Sequence, residues 1–350
     1  MEAKNNSLRI GIVGLGGHGG SIQNSAQLSN RIEVVAVCDP NREVLDESVE
    51  RFECDGYEDY NDMLARGGMG AVVLVTPNHL HRRQVEAAFD AGIQVMVEKP
   101  IANTVEDGVA MMEAARAHDR LLYVGHNMRF TRAFDQVKSY VDGGQLGKII
   151  TAEIHFSADN TRWMSKDAWR LQPELCPMMP VMQLGIHGID VVQSFLGPIV
   201  SVSAYSDAFT TVPGVTDSVT AAVRFASGSM GTLVSNYCTQ VAFDFRISGT
   251  EATVVSTPHK VWFRKAADTN SQCEGPKEEF DFLKFHAESF KRQMDAFAGM
   301  VLDGAPAEAS NAATVADALR ALAVVEALEE SATLGRSVDV QQVSDSGDLL

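Results

Sequence analysis

Residues 8–39 constrain the possible fold of this chain more than any other segment. The apolar run Leu8–Val13 is typical of a buried strand, and Gly14-Leu15-Gly16-Gly17-His18-Gly19 follows it directly. A helical stretch then leads to a second apolar run, Val34-Val35-Ala36-Val37-Cys38, which ends at Asp39. A strand, a G-x-G-x-x-G turn, a helix and a second strand with a terminal acid make up a βαβ unit that binds a dinucleotide.

Each part of this segment has a distinct physical role in that interpretation. Gly14 permits the tight turn, Gly16 lets the backbone approach a pyrophosphate, and Gly19 lets the helix pack close to the strand. The start of the helix offers N–H groups and partial positive charge to the pyrophosphate. Six residues are therefore predicted to contact the cofactor: Gly14, Gly16, Gly17, His18, Gly19 and Asp39. The alternative is a purely structural glycine-rich turn.

Asp39 also bears on the choice of cofactor. Its carboxylate can accept hydrogen bonds from ribose hydroxyls, and it would repel a ribose 2′-phosphate. The sequence therefore favours NAD over NADP. Arg42 follows closely and could bind a 2′-phosphate, so NADP stays open.

Composition excludes several classes of function. The net charge of −17 over 350 residues argues against a nucleic-acid partner, because phosphate backbones require clustered Lys and Arg. Five cysteines with no C-x-x-C spacing are typical of reduced thiols in a cytoplasmic protein. No apolar stretch reaches the roughly 18 residues of a membrane span, and no Asp, Glu or His spacing indicates a metal site.

The alternation of strands and helices predicts an α/β fold. Apolar runs near 8–13, 34–38, 71–75, 94–97 and 121–125 indicate a doubly wound parallel sheet, a Rossmann domain over residues 1–126. Residues 127–340 are predicted to form an α+β domain with an open, mainly antiparallel sheet, and residues 341–350 a loose tail. Strands of this second domain are predicted over 149–156, 199–207, 217–226, 229–237, 242–248, 252–257 and 260–265. Its helices are predicted over 131–142, 183–196, 284–303 and 311–334.

Two groups of residues are candidates for chemistry. Lys99 ends a strand at the carboxyl edge of the sheet, and Pro100 restricts its backbone. A lysine there can hold a substrate oxygen near the nicotinamide, although a surface lysine before a turn is the alternative. Gln183, His187 and Asp190 follow an i, i+4, i+7 spacing and are predicted to share one helix face. Histidine is the usual proton acceptor near neutral pH, but a lone helical histidine is more often structural.

The ordered set of motifs resembles one family. Gly14-x-Gly16-x-x-Gly19, Thr76-Pro77-Asn78-x-x-His81, Glu98-Lys99-Pro100, residues 125–130 (Gly-His-Asn-Met-Arg-Phe) and Gly185-x-His187-x-x-Asp190 occur in its order. The chain is similar to the glucose–fructose oxidoreductase/inositol dehydrogenase family, also called Gfo/Idh/MocA, over about residues 8–340. This resemblance implies NAD(P)-dependent oxidation or reduction of sugars, cyclitols and related polyols. It also implies a homodimer or homotetramer formed through the open sheet.

The resemblance also assigns roles to individual positions. It makes Lys99 the residue that holds the reacting oxygen and His187 the residue that shuttles the proton. It places five residues around the nicotinamide and its ribose: Thr76, Pro77, Asn78, His81 and Glu98. Asn127 and Arg129 fall where the family crosses between domains, near cofactor and substrate.

One position departs from the family pattern. Many members carry an aspartate four residues before the histidine, where this chain has Gln183. Glutamine cannot accept a proton but can hydrogen-bond a hydroxyl group, so Gln183 is predicted to contact substrate. Trp163 and Arg170 lie in the irregular stretch before it and are predicted to contact a sugar ring, or else simply to anchor a long loop. Tyr237 is a weaker candidate from the sheet.

Three functions remain open from sequence. The first is a hydride-transferring oxidoreductase acting on a sugar or cyclitol. The second, suggested by Gln183, is a redox-neutral lyase, epimerase or glycosidase-like enzyme with tightly held NAD. The third is a non-catalytic dinucleotide sensor, against which the presence of Lys99 and His187 counts.

Overall fold

A computed structural model describes residues 7–210, 214–265 and 282–350. The chain divides into two compact units. The first contains the described residues up to Ala102, Glu106–Phe130 and His286–Val315. The second contains Asn103–Val105, the described part of Thr131–Phe285, and Ala316–Leu350.

The first unit contains a parallel sheet, as the apolar runs predict. Its strands are β1 (Leu8–Val13), β2 (Ile32–Cys38), β3 (Asp55–Tyr57), β4 (Ala71–Leu74), β5 (Gln94–Glu98) and β6 (Leu122–Gly125). The described strands lie in the order β3-β2-β1-β4-β5-β6, and every pairing is parallel. This is the strand order of a dinucleotide-binding fold, in which ligands bind at the carboxyl ends of the strands.

Helices connect these strands. They are α1 (His18–Leu28), α2 (Arg42–Phe52), α3 (Tyr60–Arg66), α4 (His81–Asp90) and α5 (Val105–Ala117). The sequence does not predict β3 or α3. The strand Asp55–Tyr57 has three residues at the sheet edge, and neither Asp55 nor Gly56 is buried, so no apolar run marks it.

A C-terminal segment belongs to the first unit. In the helix α8 (Phe282–Asp303), Phe290, Met294 and Phe297 join the same buried cluster as Ile10 and Ile12 of β1. The rings of Tyr123 and Phe297 stack with centroids 5.7 Å apart. A continuous domain over residues 1–126 therefore omits part of this core, because long-range apolar contacts rather than chain order decide membership.

The second unit contains the predicted open sheet. Its strands are β7 (Ile149–Ser157), β8 (Ile199–Asp207), β9 (Ser218–Phe225), β10 (Met230–Asn236), β11 (Ala242–Gly249), β12 (Ala252–Ser256), β13 (Val261–Lys265) and β14 (Val338–Asp339). Within the described ranges their order is β13-β12-β11-β7-β10-β9-β8-β14. The pairing of β10 with β7 is parallel and the others are antiparallel, which confirms a mainly antiparallel sheet.

Helices cover one face of this sheet. They are α6 (Arg132–Asp142), α7 (Ile186–Leu196) and α9 (Val315–Leu334). The helix α7 approaches β7 very closely, because a Cβ built on Gly188 would lie 2.4 Å from Cγ2 of Ile154 and 2.7 Å from the ring of Phe156. Along β9, buried and non-buried residues alternate, as expected for a sheet with one covered face.

The last ten residues are not a loose tail. Val343 is buried, and its carbonyl accepts a hydrogen bond of 2.9 Å from Nε of Arg320. Val343 also forms an antiparallel bridge with Leu349. In the part of the chain that the structure describes, no helix has the length and apolar character needed to cross a membrane.

Candidate active site

The glycine turn between β1 and α1 requires glycine at two positions. Gly14 has φ of 86°, and a Cβ there would lie 2.8 Å from the carbonyl oxygen of Val75. A Cβ on Gly19 would lie 2.2 Å from the carbonyl oxygen of Gly14. The first turn of α1 therefore lies directly against the end of β1, as the spacing predicts.

The other side of the turn has space for a ligand. A Cβ built on Gly16 or Gly17 would meet no atom within 4 Å. Gly17 caps α1 without a side-chain hydrogen bond, so no side chain takes the place of an anion at this helix start. Open space above backbone N–H groups fits a pyrophosphate.

Asp39 holds the glycine turn in place. Its Oδ2 accepts a hydrogen bond of 2.8 Å from the N–H of Leu15, and its Oδ1 accepts one of 2.8 Å from Asn41. A carboxylate oxygen can accept more than one bond, so Asp39 can still receive ribose hydroxyls. Arg42 pairs with Glu58 and lies 3.7 Å from Asp46, so carboxylates already compensate its charge.

His18 and Glu98 connect the glycine turn to the end of β5. Nε2 of His18 lies 3.5 Å from Oε2 of Glu98, and its ring meets the ring of Phe290 edge-on at 5.1 Å. Glu98 is buried, and its Oε1 lies 3.4 Å from Nε2 of Gln293. Burial alone would raise the pKa of Glu98, but His18, Lys99 and Gln293 together lower it. Glu98 is therefore a buried carboxylate held in its ionised form.

Lys99 follows β5 directly and is half-buried. The peptide bond between Lys99 and Pro100 is cis. Behind this loop, Nδ1 of His81 lies 3.0 Å from the carbonyl oxygen of Pro100 and 3.2 Å from that of Ile101. Nε2 of the same ring lies 3.0 Å from the carbonyl oxygen of Thr76.

These contacts give His81 a structural role in addition to the predicted one. Its ring is 1% exposed, and burial lowers its pKa although the surrounding carbonyls oppose that shift. Both ring nitrogens face backbone carbonyls, so neither is left as a hydrogen-bonding group for a ligand. His81 connects the loop that carries Lys99 to the loop after β4.

The other predicted residues of the first unit are mostly buried. Asn78 is 4% exposed, Asn127 1% and Arg129 7%. Nδ2 of Asn127 donates to Oγ of Ser289 at 3.2 Å. The hydroxyl of Thr76 donates to Oε1 of Gln84, and Pro77 precedes the short helical turn Asn78–Leu80.

The second unit places Gln183 in a π-helical turn, Val181–Gly185, that leads into α7. This differs from the predicted helix over 183–196, because a π-helical turn has a longer repeat than an α-helix and changes the i, i+4 relation between Gln183 and His187. Single π-helical turns occur frequently at functional sites. His187 lies in α7 and is half-buried, and Asp190 is 1% exposed.

A polar cluster surrounds Gln183. We define it as Trp169, Arg170, Cys176, Gln183 and Tyr237. Nε of Arg170 donates to Oε1 of Gln183 at 3.1 Å, and Nε2 of Gln183 donates to Sγ of Cys176 at 3.4 Å. The guanidinium carbon of Arg170 lies 4.5 Å from the ring centroid of Trp169. The structure thus brings the predicted residues Arg170 and Gln183 together.

Tyr237 and Trp163 differ in their surroundings. Burial raises the pKa of Tyr237 to about 12, although Arg170 and a hydrogen bond with Asn160 oppose this shift. Tyr237 is therefore a neutral phenol in this cluster. Trp163, by contrast, is 83% exposed, so it does not anchor the loop as a buried residue would.

Sequence reasoning missed several residues that support these groups. Cys176 contacts Gln183 across seven positions of irregular chain, and no periodicity marks it. Phe290, Ser289 and Gln293 lie on α8, far along the chain from the motifs that they contact. The sequence of α8 mixes charged and apolar residues and carries no motif that marks these three positions.

Comparisons with known proteins agree with this architecture. Residues 8–126 match a family model described as an oxidoreductase family with an NAD-binding Rossmann fold. Residues 134–255 match a model described as the GFO/IDH/MocA C-terminal domain.

Individual relatives are more distant. The levoglucosan dehydrogenase of Pseudarthrobacter phenanthrenivorans is 29% identical over 258 residues, which cover 63% of each chain. The myo-inositol 2-dehydrogenase of Thermotoga maritima is 24% identical over 346 residues, 96% of this chain and 99% of that protein. The chain spans about half to two thirds of the length of the first curated relatives that it matches.

A solved structure shares the whole fold. Levoglucosan dehydrogenase in complex with NADH and L-sorbose superposes with a TM-score of 0.85 at 22% identity, over 97% of this chain and 100% of that one. At 22% identity, this structural similarity establishes the fold of the chain.

Proposed function

Because this chain belongs to the Gfo/Idh/MocA oxidoreductase family, we propose that it transfers a hydride between a nicotinamide cofactor and a sugar, cyclitol or related polyol. The observation that carries the proposal is the glycine turn, which leaves open space above Gly16 and Gly17 and is held by the Asp39 carboxylate. The named relatives, a levoglucosan dehydrogenase and an inositol dehydrogenase, support the polyol class.

The roles of this chain's residues follow from their chemistry. Gly14, Gly16 and Gly17 form the turn that would hold the pyrophosphate, and Asp39 would receive the ribose hydroxyls. A nicotinamide cofactor held there would supply the hydride acceptor for oxidation of a carbinol and the hydride donor for the reverse reaction. NAD is the preferred cofactor in this proposal, and NADP is the alternative that the assay tests.

Lys99 and His187 carry the proton chemistry. The ammonium of Lys99 donates a hydrogen bond to the reacting oxygen and orients it, while His187 takes the hydroxyl proton as the carbonyl forms. In the reverse direction His187 returns that proton. Gln183 cannot take a proton, so no third acid–base group is assigned at its position.

The test is a screen of sugars, cyclitols and sugar acids for NADH and NADPH formation. We expect turnover with at least one substrate and NAD. The variant Lys99→Ala should lose turnover by about 100-fold while cofactor binding survives, in line with typical acid–base contributions. Lys138→Ala is the matched control, because the side chain of Lys138 is 40% exposed and pairs with Asp142 on its own helix.

Two outcomes would contradict the proposal. Near-normal turnover of Lys99→Ala would show that this lysine does not orient the reacting oxygen. Product formation without added NAD and without net NADH, from protein that carries cofactor as purified, would instead indicate the redox-neutral class.

We also propose that the chain forms a homodimer or homotetramer through the open face of its second sheet. Tyr205 of β8 is 81% exposed and lies beside Thr220, and Val234 and His155 continue this row on β10 and β7. A large exposed aromatic side chain on a sheet face is typical of a contact surface.

A further inference from the structure

Arg170 is a half-buried arginine whose described partners are all neutral. Its Nε donates to the amide oxygen of Gln183, and its guanidinium lies over the indole of Trp169. Within residues 7–210, 214–265 and 282–350, no carboxylate oxygen lies within salt-bridge distance of it. Because a guanidinium stays protonated in proteins, the cluster around Gln183 carries a positive charge that these residues do not compensate.

A nearby arginine shows the contrast. Nε of Arg162, eight positions earlier, lies 2.8 Å from Oδ2 of Asp159, and its side chain is 67% exposed. Both arginines belong to the same irregular segment, but only Arg162 has an acid beside it. Arg162 therefore serves as a reference for an arginine with an ordinary surface role.

The positive charge of Arg170 is uncompensated because the residue that accepts its hydrogen bond, Gln183, is neutral. Its Oε1 already receives Nε of Arg170, and a carboxylate in the same place would form an ion pair with the guanidinium. The amide supplies the hydrogen bond without the negative charge. Since Nε2 of Gln183 donates to Sγ of Cys176, the amide is oriented from its other end.

The guanidinium is also oriented for one kind of ligand. Gln183 occupies Nε and Trp169 covers one face of the plane, so the remaining donors are the terminal N–H groups in that plane. Two parallel N–H groups match the two oxygens of a carboxylate. A phosphate dianion is better matched by several cations, whereas this cluster has one.

We propose that Arg170 binds a carboxylate of the substrate, so that this enzyme acts on sugar acids in preference to neutral sugars. The inference rests on the proposed function and narrows its substrate class. The carboxylate does not react: hydride and proton leave a carbinol elsewhere on the same molecule, as described above. Arg170 determines specificity by binding the substrate, and Gln183 acts through Arg170 by leaving its charge available.

Matched substrate pairs test the proposal. Glucuronate and glucose, galacturonate and galactose, and gluconate and glucitol differ mainly by the acid group. We expect higher kcat/KM for the acid in at least one pair. Arg170→Gln should lower that value by about 10- to 100-fold, mainly through KM, because a hydrogen-bonded charge pair is lost. The same variant should lower kcat/KM for the neutral member of the pair by a clearly smaller factor, so the ratio of the two values is the readout.

A second variant tests the part played by Gln183. Gln183→Glu keeps an oxygen acceptor for Arg170 at the same side-chain length and adds a negative charge. We expect it to weaken the preference for the acid by a similar factor, although Arg170 is intact. Arg170→Lys should keep part of the preference, because it keeps the charge and loses the planar pair of donors. Arg162→Gln is the matched control and should keep the wild-type preference.

The outcomes separate this inference from the proposed function. No NAD(P)H formation with any acid or neutral compound would contradict the proposed function itself. Turnover that favours neutral sugars, or an acid preference that Arg170→Gln leaves unchanged, would overturn only the inference. A preference for glucose 6-phosphate over glucuronate, lost in Arg170→Gln, would overturn the carboxylate assignment in favour of a phosphate ester.

Discussion

At the scale of single residues, Glu98 shows how this protein keeps a charge in its interior. The carboxylate is 4% exposed, and its partners come from three places in the chain: His18, Lys99 and Gln293. Burial opposes ionisation, and these partners together outweigh it, so the pKa of Glu98 is lowered from its ordinary value of 4.5. A group whose pKa is lower in the folded state stabilises that state when it is ionised.

This geometry predicts a pH-dependent effect of Glu98→Gln. At neutral pH the variant should be less stable than wild type by about 1–3 kcal/mol, because a hydrogen bond to a charged group is lost. The unfolded chain protonates Glu98 first as pH falls below about 4.5, so the difference in free energy of unfolding should shrink there. Urea denaturation of both proteins between pH 7 and pH 4 measures it.

The matched control for this prediction is Glu153→Gln. Glu153 is exposed and lies 3.4 Å from Arg246, so its loss should change the free energy of unfolding by less than about 1 kcal/mol. A difference between wild type and Glu98→Gln that stays constant across the pH range would show that Glu98 is not held ionised by its surroundings.

At the scale of elements, α7 depends on glycine for its contact with the sheet. Gly185 lies at the end of the π-helical turn, and a Cβ there would come within 3.0 Å of Oγ of Ser235. That hydroxyl is buried and lies 2.8 Å from the carbonyl oxygens of both Phe156 and Pro180, which share its single proton. Gly188 faces Ile154 and Phe156 at still shorter distances. The helix that carries His187 is therefore positioned by two close backbone approaches.

We expect Gly188→Ala to destabilise the protein by about 1–3 kcal/mol, because the added methyl group overpacks a tight contact. Turnover should also fall, since His187 is the preceding residue on α7. Denaturant unfolding and steady-state kinetics on the same preparation measure the two effects.

Gly299→Ala in α8 is the same change at a helical site where the nearest atom to a new Cβ is 3.5 Å away. For this variant we expect no loss of stability, or a gain of up to about 1 kcal/mol in the free energy of unfolding, because alanine has the higher helix propensity. Equal stability of the two variants would mean that the contact between α7 and β7 is looser than described.

At the scale of the whole molecule, the proposed assembly has a direct test. The chain has a mass of 37.9 kDa, so light scattering should give a mass near two or four times that value. Tyr205→Lys places a charge on the exposed sheet face and should shift the population toward monomer, because burying an unpaired charge at an interface is costly. Leu28→Lys, at an exposed site on α1, is the control. A monomeric wild-type protein at micromolar concentration would overturn the proposal.

Several features could be predicted from neighbouring residues alone. The glycine turn, the strands of the parallel sheet that carry apolar runs, and the antiparallel strands of the second unit all have local patterns. Each follows from a short-range cause: steric limits at Gly14, continuous burial along β4, and two-residue alternation along β9. The family assignment rested on the same local motifs and is confirmed.

Other features depend on residues that are distant in the chain. The strand β3 has no apolar run that would predict it. It is a strand because it pairs with β2. The membership of α8 in the first unit depends on the packing of Phe290 and Phe297 against β1 and β6. The ring of His81 contacts the carbonyl oxygen of Ile101, which is 20 positions away in the chain. The motif around His81 gives no sign of this contact.

The sequence alone determined the class of fold, the family and the cofactor turn, because these depend on backbone conformation and residue type. Only the tertiary structure decided which side chains remain available to a ligand. It showed His81 facing backbone carbonyls and Arg170 beside a neutral amide rather than an acid. Availability depends on the partners that packing brings within 3–4 Å, and those partners follow no local pattern.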